Sequence, residues 1–464
     1  MIHRSVNRRE FVATCTAGSM AAGWGQYASL ALAAEMKNGG PLGPKPSHFE
    51  PKAKHLVIVF LTGGVSHVDT FDPKPKLATD NGKTFKAITS RDILMQPLAA
   101  SQFKFLPGGE SGLAMSELFP HVRAVADELC VIRSLHTSSS EHFQATLAMH
   151  TGSATVPLPS LGAWLSYGLG TFNPNLPSYV VLAEHTPYAG AQVWDNNFLP
   201  PYHQGVRIVP GDEPISDLRS PARNSTLADL ERIMLRDADE LHAAARPGDL
   251  DLRARMYSFD LGRGMMREAP ETFDFTRESE ATLLAYGSQP GDKVSFAAQC
   301  LLARRLVERG VRVVELIDTG SQDNWDAHGD MAQHRGKAAR VDQPLAALLR
   351  DLRQRGLLDQ TLVAICTEFG RTPWSSTLSA KGRDHWHRAF TCLLAGAGVK
   401  GGVVYGQTDD YGMDVASEPC DVHDYHATIL HLMGIDHERL TYRYAGRDIR
   451  LTDVAGNVLQ PILT

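Results

Sequence analysis

The 464-residue sequence predicts an α/β fold built on a mostly parallel, doubly wound sheet. Three observations carry that expectation. Short unbroken apolar runs recur at 55–61, 129–134, 179–182, 311–317, 361–367 and 389–395, as in strands covered on both faces. Stretches with apolar residues at helical spacing alternate with them, which favours crossover connections and parallel pairing. Polar residues and glycines crowd the positions just after several of these runs, the edge where open α/β sheets place their ligands.

Composition bounds the rest. Apolar residues make up 43% and charged residues 21%, ordinary values for a globular chain long enough for one large domain or two lobes. A net charge of −6 gives no electrostatic case for nucleic acid as a partner. Asn7-Arg8-Arg9-Glu10-Phe11-Val12 is a twin-arginine pattern. A weakly apolar run from Val12 to Ala34 comes after it, with a small-x-small signal at Ala31-Leu32-Ala33. Residues 1–34 therefore read as a targeting segment for export of a folded protein to the periplasm or beyond, an address and not an anchor. After residue 40 no run of about eighteen apolar residues occurs, so no membrane span is expected in the mature chain. One of the six cysteines, Cys15, lies in the leader. Cys130, Cys366 and Cys392 fall in apolar, strand-like runs and read as buried thiols. No Cys-x-x-Cys supports a zinc ribbon.

In chain order, residues 35–54, rich in Pro and Gly from Asn38 on, read as a linker or surface arm. The first strand, 55–61, opens into Thr62-Gly-Gly-Val-Ser-His-Val-Asp-Thr-Phe-Asp-Pro73, where Ser66, His67, Asp69 and Asp72 crowd the exit. Met115–Val125 reads as a helix and Leu129–Ser134 as a strand. Ser138, Ser139 and Ser140 offer caps to a helix over Glu141–Gly152, with His142 at its start, His150 near its end and Gly152 as terminator. A helix over Gly162–Gly168 and a strand at Tyr179–Leu182 come next. Helical patterns at Thr226–Arg246, Leu250–Arg267 and Val294–Arg309 mark residues 195–290 as a helical insertion in a domain spanning 55–464. The strand at Val311–Ile317 exits into a polar loop, Asp318 to Asp330. A helix over Lys337–Arg355 ends at Gly356 and leads to the Thr361–Thr367 strand. Strands at Ala389–Ala395 and Val403–Tyr405 precede a last helix from His423 to Gly434.

Four strand exits gather the residues of one candidate site. They are Ser66, His67 and Asp69; His142; Asp323, Asp326 and His328; and Glu368, Arg371, Asp384, His385 and His387. His423 and His426 begin the late helix. Carboxylate oxygens together with imidazole nitrogens suit a divalent cation such as zinc, manganese or iron. Asp326-x-His328 can converge on one ion from a loop, Glu368 leaves its strand toward the same edge, and His385 can close the set. Arg371 and Arg383 have two readings, a bidentate hold on phosphate or sulfate and a pairing with Asp384 or Glu368. The dinucleotide and P-loop glycine spacings are absent.

Five motifs carry a family resemblance: Gly63-Gly-Val-Ser-His-Val-Asp-Thr-Phe-Asp-Pro-Lys-Pro75, Trp325-Asp-Ala-His328, Glu368-Phe-Gly-Arg-Thr-Pro373, Gly382-Arg-Asp-His-Trp386 and His426-Ala-Thr-Ile-Leu430. Together they resemble the domain of unknown function 1501 family of the alkaline phosphatase and sulfatase superfamily. The resemblance implies an α/β/α sandwich and hydrolysis or transfer at phosphate or sulfate esters with divalent metals. It also implies departures from the usual site. Gly63-Gly64 stands where a metal-binding Asp is expected, with Asp69 displaced from it. Thr151-Gly152 ends the expected helix, yet His142 lies near the nucleophile position. Glu368 matches an Asp, and Phe369 replaces its His partner. Asp326 and His328 resemble one ligand pair, and His385, or less well His387, a further ligand. The expected protein is an exported sulfatase-like hydrolase of a sulfate or phosphate ester, with one divalent metal whose identity (zinc, manganese, calcium or iron) is open. Asp326, His328 and His385 are its expected ligands, Glu368 a fourth ligand or general base, Arg371 the stabiliser of developing charge and His142 an alternative nucleophile. The alternative expectation is a catalytically inactive member binding an anionic glycan or a partner protein through the same cleft.

Overall fold

In the computed structural model the described residues are 41–88, 93–215, 224–246, 249–375 and 381–464. The leader expected over 1–34 lies outside them, as do the first residues of the linker. The main sheet is formed by β1 (His55–Phe60), β2 (Leu129–His136), β3 (Tyr179–Ala183), β4 (Val206–Ile208), β5 (Val313–Ile317) and β6 (Thr361–Cys366). A hairpin, β7 (Gly370–Ser375) and β8 (Arg383–Trp386), stands beyond the end of β6, and β9 (Phe390–Gly396), β10 (Val403–Tyr405) and β11 (Cys420–Asp421) complete the sheet. Its nine strands run in the order β10-β2-β9-β6-β1-β5-β3-β4, with β11 beside β2.

Every pairing in this sheet is parallel except those of β9, which runs antiparallel to both β6 and β2. Chain length explains the exception. The β7–β8 hairpin keeps the chain at the carboxyl edge, and only residues 387–389 separate β8 from β9. A parallel return needs a crossover of roughly a dozen residues, so β9 re-enters the sheet from the edge where the chain already stands.

Besides short helices at His67–Thr70, Pro75–Thr79 and Pro120–Arg123, the helices among the described residues are α1 (His142–Thr151), α2 (Leu161–Leu169), α3 (Ser225–Ala244), α4 (Leu250–Thr272), α5 (Glu280–Tyr286), α6 (Phe296–Glu308), α7 (His334–Gln354) and α8 (Val422–Leu432). Period-2 alternation along β1 divides the core. Val57 and Val59 join Leu301, Leu306, Leu345 and Leu349 of α6 and α7 on one face. Leu56, Ile58 and Phe60 join Leu147, Leu165 and Ile429 of α1, α2 and α8 on the other. The expected mostly parallel α/β sheet with helices on both faces is thus present. Within 195–290, Val206–Ile208 adds a parallel edge strand to β3, and helices occupy most of the described residues from Ser225 on.

The helix expected over Met115–Val125 is not formed. Leu113–Ser116 pairs with Phe105–Gly108 as a hairpin, and only Pro120–Arg123 makes a helical turn. Pro120 sits at the start of that turn, the position where a missing N–H costs least. Met115, fully buried, lies in the hairpin strand. Cys130, Cys300, Cys366, Cys392 and Cys420 are free and buried, as expected of apolar thiols.

Asp69 and Arg383 tie the β1 exit to the hairpin. Arg383 Nε donates to Asp69 Oδ2 at 2.6 Å, and Ser66 Oγ donates to the same oxygen at 2.6 Å. The Asp69 and Arg383 side chains are 0% and 2% exposed. Removing one partner of a buried pair leaves the other charge uncompensated. Asp69→Ala is expected to destabilise the fold by roughly 3–5 kcal/mol in urea unfolding. An effect within 1 kcal/mol, about what an exposed pair is worth, contradicts this account.

Candidate metal centre

The loops after β1, β5 and β6, the start of α1 and the hairpin strand β8 bring one set of side chains to the carboxyl edge. Asp326 is its centre. Its Oδ1 lies 2.9 Å from His328 Nε2, 3.2 Å from His385 Nε2 and 2.7 Å from Arg371 Nη2. The two Nε2 atoms of His328 and His385 are 3.0 Å apart. His142 Nε2 is 3.3 Å from Asp326 Oδ2, in alignment too poor for a hydrogen bond, and is buried without another partner. That contact is one of charge only.

The far nitrogen of each imidazole is held by an oxygen. His142 Nδ1 donates to Glu368 Oε1 at 2.8 Å, His385 Nδ1 to the Ser140 carbonyl at 2.8 Å, and His328 Nδ1 to Asp384 Oδ1 at 3.2 Å. Each ring therefore keeps a proton on Nδ1 and turns Nε2 toward Asp326. This is the arrangement in which outer oxygens orient and enrich metal-ligating histidines. Ligands about 2.0–2.2 Å from a transition ion are roughly 3 Å apart when adjacent in its coordination sphere. The Asp326–His328–His385 triangle has sides of 2.9, 3.0 and 3.2 Å. The ligand atoms of His142, Asp326 and His385 all lie within 4.8 Å of one another, the one such group among the described residues. Nitrogen and oxygen donors, an orphaned buried Nε2 and this spacing fit a zinc-, iron- or manganese-type cation.

Two of the expected site residues lie behind the cluster. Glu368, fully buried, was expected as a ligand or general base. Its Oε1 accepts from Gly63 N at 2.8 Å as well as from His142, and its Oε2 accepts from Thr367 Oγ1 at 3.1 Å. It stands behind His142 and orients that ring. Arg371, fully buried, was expected to meet an anionic ester. Its nitrogens are engaged by the carbonyls of Gly63, Gly64 and Arg383 and by Asp326. One of these contacts holds the Asp326 carboxylate. Both roles depend on Gly63 and Gly64, whose φ values of +111° and +74° lie in the region that favours glycine. A Cβ on Gly64 would meet the Phe369 ring at 2.4 Å.

The supporting residues divide. Asp384 holds His328, as described. Ser66 and Asp69 belong to the Arg383 pair and do not face Asp326. His67 is buried, with Nε2 2.8 Å from the Gly412 carbonyl and Nδ1 accepting from Arg371 N at 3.4 Å; burial holds its pKa down. His387 lies on the wall of a separate cleft with His136 and Arg388. His426 is buried in α8, with Nε2 donating to the Met149 carbonyl at 2.8 Å. Polar residues after a strand were expected at one site, but the short helix at 67–70 and the side of β8 turn these groups elsewhere.

Tyr188 and Asn324 were not anticipated. The Tyr188 ring stacks on His142 with centroids 4.1 Å apart and an interplanar angle of 13°. Asn324 Nδ2 donates to the Tyr188 hydroxyl at 2.9 Å, while its Oδ1 accepts from Asp326 N at 3.0 Å. The available signal was position: Tyr188 comes after the 179–183 strand on the same edge. Phe369 packs against His142 and His385, with centroids 4.8 and 4.6 Å away, and supplies no ligand atom.

Residues 53–463 match the model of a family described as protein of unknown function (DUF1501). Among curated proteins no match to the sequence was found. Solved structures of similar arrangement include the lipoteichoic acid synthase LtaP from Listeria monocytogenes, at 11% identity over 90% of this chain and 80% of that one, with a TM-score of 0.37. A protein in the alkaline phosphatase superfamily from Vibrio parahaemolyticus gives 12% identity over 85% and 70%, TM-score 0.38. The PsFucS1 sulfatase from Pseudoalteromonas sp. gives 13% over 89% and 72%, TM-score 0.35.

Charge in the cluster sets a pH dependence. Burial opposes ionisation of Asp326, but the His142 contact, the His328 and His385 imidazoles and the Arg371 charge hold its carboxyl far below the usual range. Bonds to Asp326 and then Asp384 raise His328 to about 9. Burial lowers the His142 pKa, yet Asp326 and Glu368 outweigh it and the net shift is upward. In metal-free protein, His328's contribution to stability is complete below its unfolded value of about 6.5 and is lost as pH rises through about 9. Asp326 contributes above about pH 3.9 and loses that contribution in acid. His328 is 44% exposed, so its slope is shallow. Thermal midpoints in chelator are expected to fall between about pH 6.5 and 9, and His328→Asn to flatten that fall. Parallel curves for the two proteins exclude His328 as its source.

Proposed function

The chain belongs to the DUF1501 family, and from the geometry of its site we propose that it hydrolyses sulfate or phosphate esters with one divalent metal held by His142, Asp326, His328 and His385. The observation that carries this reading is the common orientation of three imidazoles, each with Nδ1 on an oxygen acceptor and Nε2 turned to one carboxylate. The bound metal would supply an activated water and a positive centre for the ester oxygen.

The chain's own groups have separable tasks. Glu368 and Asp384 hold the His142 and His328 rings, and Arg371 fixes the Asp326 carboxylate. Tyr188 and Phe369 wall His142 from water on its faces. His328 and Asp384, each 44% exposed, form the open side from which a substrate enters. The twin-arginine leader supports export, and the single cationic centre supports an anionic ester, including one on a sulfated or phosphorylated glycan.

One observation favours a second reading, a binding protein without turnover. The first residue of α1 is His142, and the Ser139 hydroxyl just before it is engaged in donating to Gln144 Oε1. The two readings separate on metal and turnover together. Protein purified folded is expected to carry about one equivalent of metal and to cleave aryl sulfates or aryl phosphates, and Asp326→Ala is expected to lose both by at least ~100-fold, or about 2.7 kcal/mol. Glu368→Gln keeps the shape of the acceptor and is expected to weaken metal binding by roughly 10–100-fold. Stoichiometric metal without turnover selects the binding protein. Absence of metal in protein that still turns over an ester removes the proposed site.

A further inference from the structure

Helix α1 carries a second carboxylate–imidazole pair that the metal centre does not use. Glu315, fully buried, sits in the middle of β5, in register with Ile58 of β1 and Val181 of β3. Its Oε1 lies 2.8 Å from His150 Nε2, and its Oε2 accepts from the Tyr179 hydroxyl. His150 Nδ1 lies 2.6 Å from the Thr146 carbonyl. The Thr146 carbonyl and the Glu315 carboxylate are both oxygen acceptors, an environment that favours the protonated ring. Burial opposes that charge, and Glu315 outweighs the opposition.

An ion pair of this kind is poorly explained by stability. Replacing a buried pair with apolar groups of similar volume is often neutral or stabilising. Its position is more informative. His142 and His150 are eight residues apart on α1, about 12 Å along the axis. Their carboxylate partners come from β6's exit and from β5, which flank β1 and stand about 10 Å apart. Phe60 of β1 packs against the His150 ring between them, with centroids 4.5 Å apart. Helix α1 is therefore fastened across the centre of the sheet at both ends, by Glu368 at its first residue and by Glu315 at its last turn. Helix α8 receives the same end: His423 Nε2 donates to the Gly152 carbonyl at 2.8 Å, and His426 Nε2 to that of Met149.

We propose that Glu315 and His150 are positioning residues of the metal centre, and that their pairing fixes the setting of α1 so that His142 Nε2 is presented to Asp326. The inference rests on reading His142 as a ligand. It also gives a task to the conspicuous charge on a central strand.

The test uses the full chain and two variants. Glu315→Gln keeps the shape and removes the charge. Glu315→Met/His150→Leu/Tyr179→Phe replaces the whole cluster with apolar groups. Thermal midpoint, Co²⁺ affinity with its visible absorption, and the His142 ring ¹⁵N resonances of metal-free protein are compared with wild type. The expected result is a triple variant at least as heat-stable as wild type, with Co²⁺ binding at least tenfold weaker, a changed Co²⁺ spectrum and displaced His142 resonances. Glu315→Gln is expected to show the same changes more weakly, and it decides the matter if the triple variant does not fold. Unchanged Co²⁺ affinity and unchanged His142 resonances overturn the proposal, whatever happens to the midpoint. If wild type binds no Co²⁺, the metal reading fails by itself. The His142 resonances of the metal-free proteins then decide the positioning claim alone.

Discussion

A single carboxylate, Asp326, has three imidazole nitrogens and one guanidinium around it, at 2.7 to 3.3 Å. The rest of the edge is arranged around this contact. Two of those nitrogens face each other at 3.0 Å, a distance that a proton can bridge for one pair only. A divalent cation relieves all three rings at once, because each has its remaining proton on an oxygen acceptor behind it. The acceptors come from different parts of the chain: the β6 exit, the loop before α1 and strand β8. A triangle about 3 Å on a side therefore depends on the register of the whole sheet, and a shift of one strand would scatter it.

That precision is achieved with buried charges, which are costly unless satisfied. Arg371 is satisfied by three backbone carbonyls and Asp326, Arg383 by Asp69 and two carbonyls. The carbonyls of Gly63 and Gly64 can approach Arg371 only because neither residue has a Cβ to meet Asn324 Oδ1, the Trp325 and Asp326 backbone nitrogens or the Phe369 ring. The antiparallel entry of β9 serves the same end. Because the chain lingers at the edge as a hairpin instead of crossing to a helix, residues 383–386 are laid back over the β6 exit. They bring Arg383, Asp384 and His385 with them.

Much of this was legible in the sequence, for reasons that also mark the limit. Apolar runs identified the central strands because strands covered on both faces have little freedom of composition. Residues just beyond them, Asp326, His328 and His385, could be assigned to one edge because strand exits share it. Direction within the edge was not legible. Ser66 and Asp69 come after β1 as closely as Asp326 comes after β5, but a one-turn helix points them at Arg383. Glu368 has the residue type of a ligand, and only its neighbours Gly63 and Thr367 reveal an orienting acceptor. Glu315 reads as one polar residue in an apolar strand, and its partner His150 lies 165 positions away. Met115 and Ser116, which end a hairpin strand, read as the start of a helix because local spacing is ambiguous over so few residues.

The same geometry restricts what His142 can do. Its Nδ1 is committed to Glu368, so only Nε2 remains, and that atom points to Asp326. A ring used as a ligand cannot also attack an ester. The stacking of Tyr188 on one face and the packing of Phe369 against the ring leave little room for the swing that attack requires. His142 is thus held at Nδ1 and on its faces, and Phe369 offers no ligand atom. With Arg371 buried beneath the carboxylate, His328 is the charged group of the cluster that faces the open side.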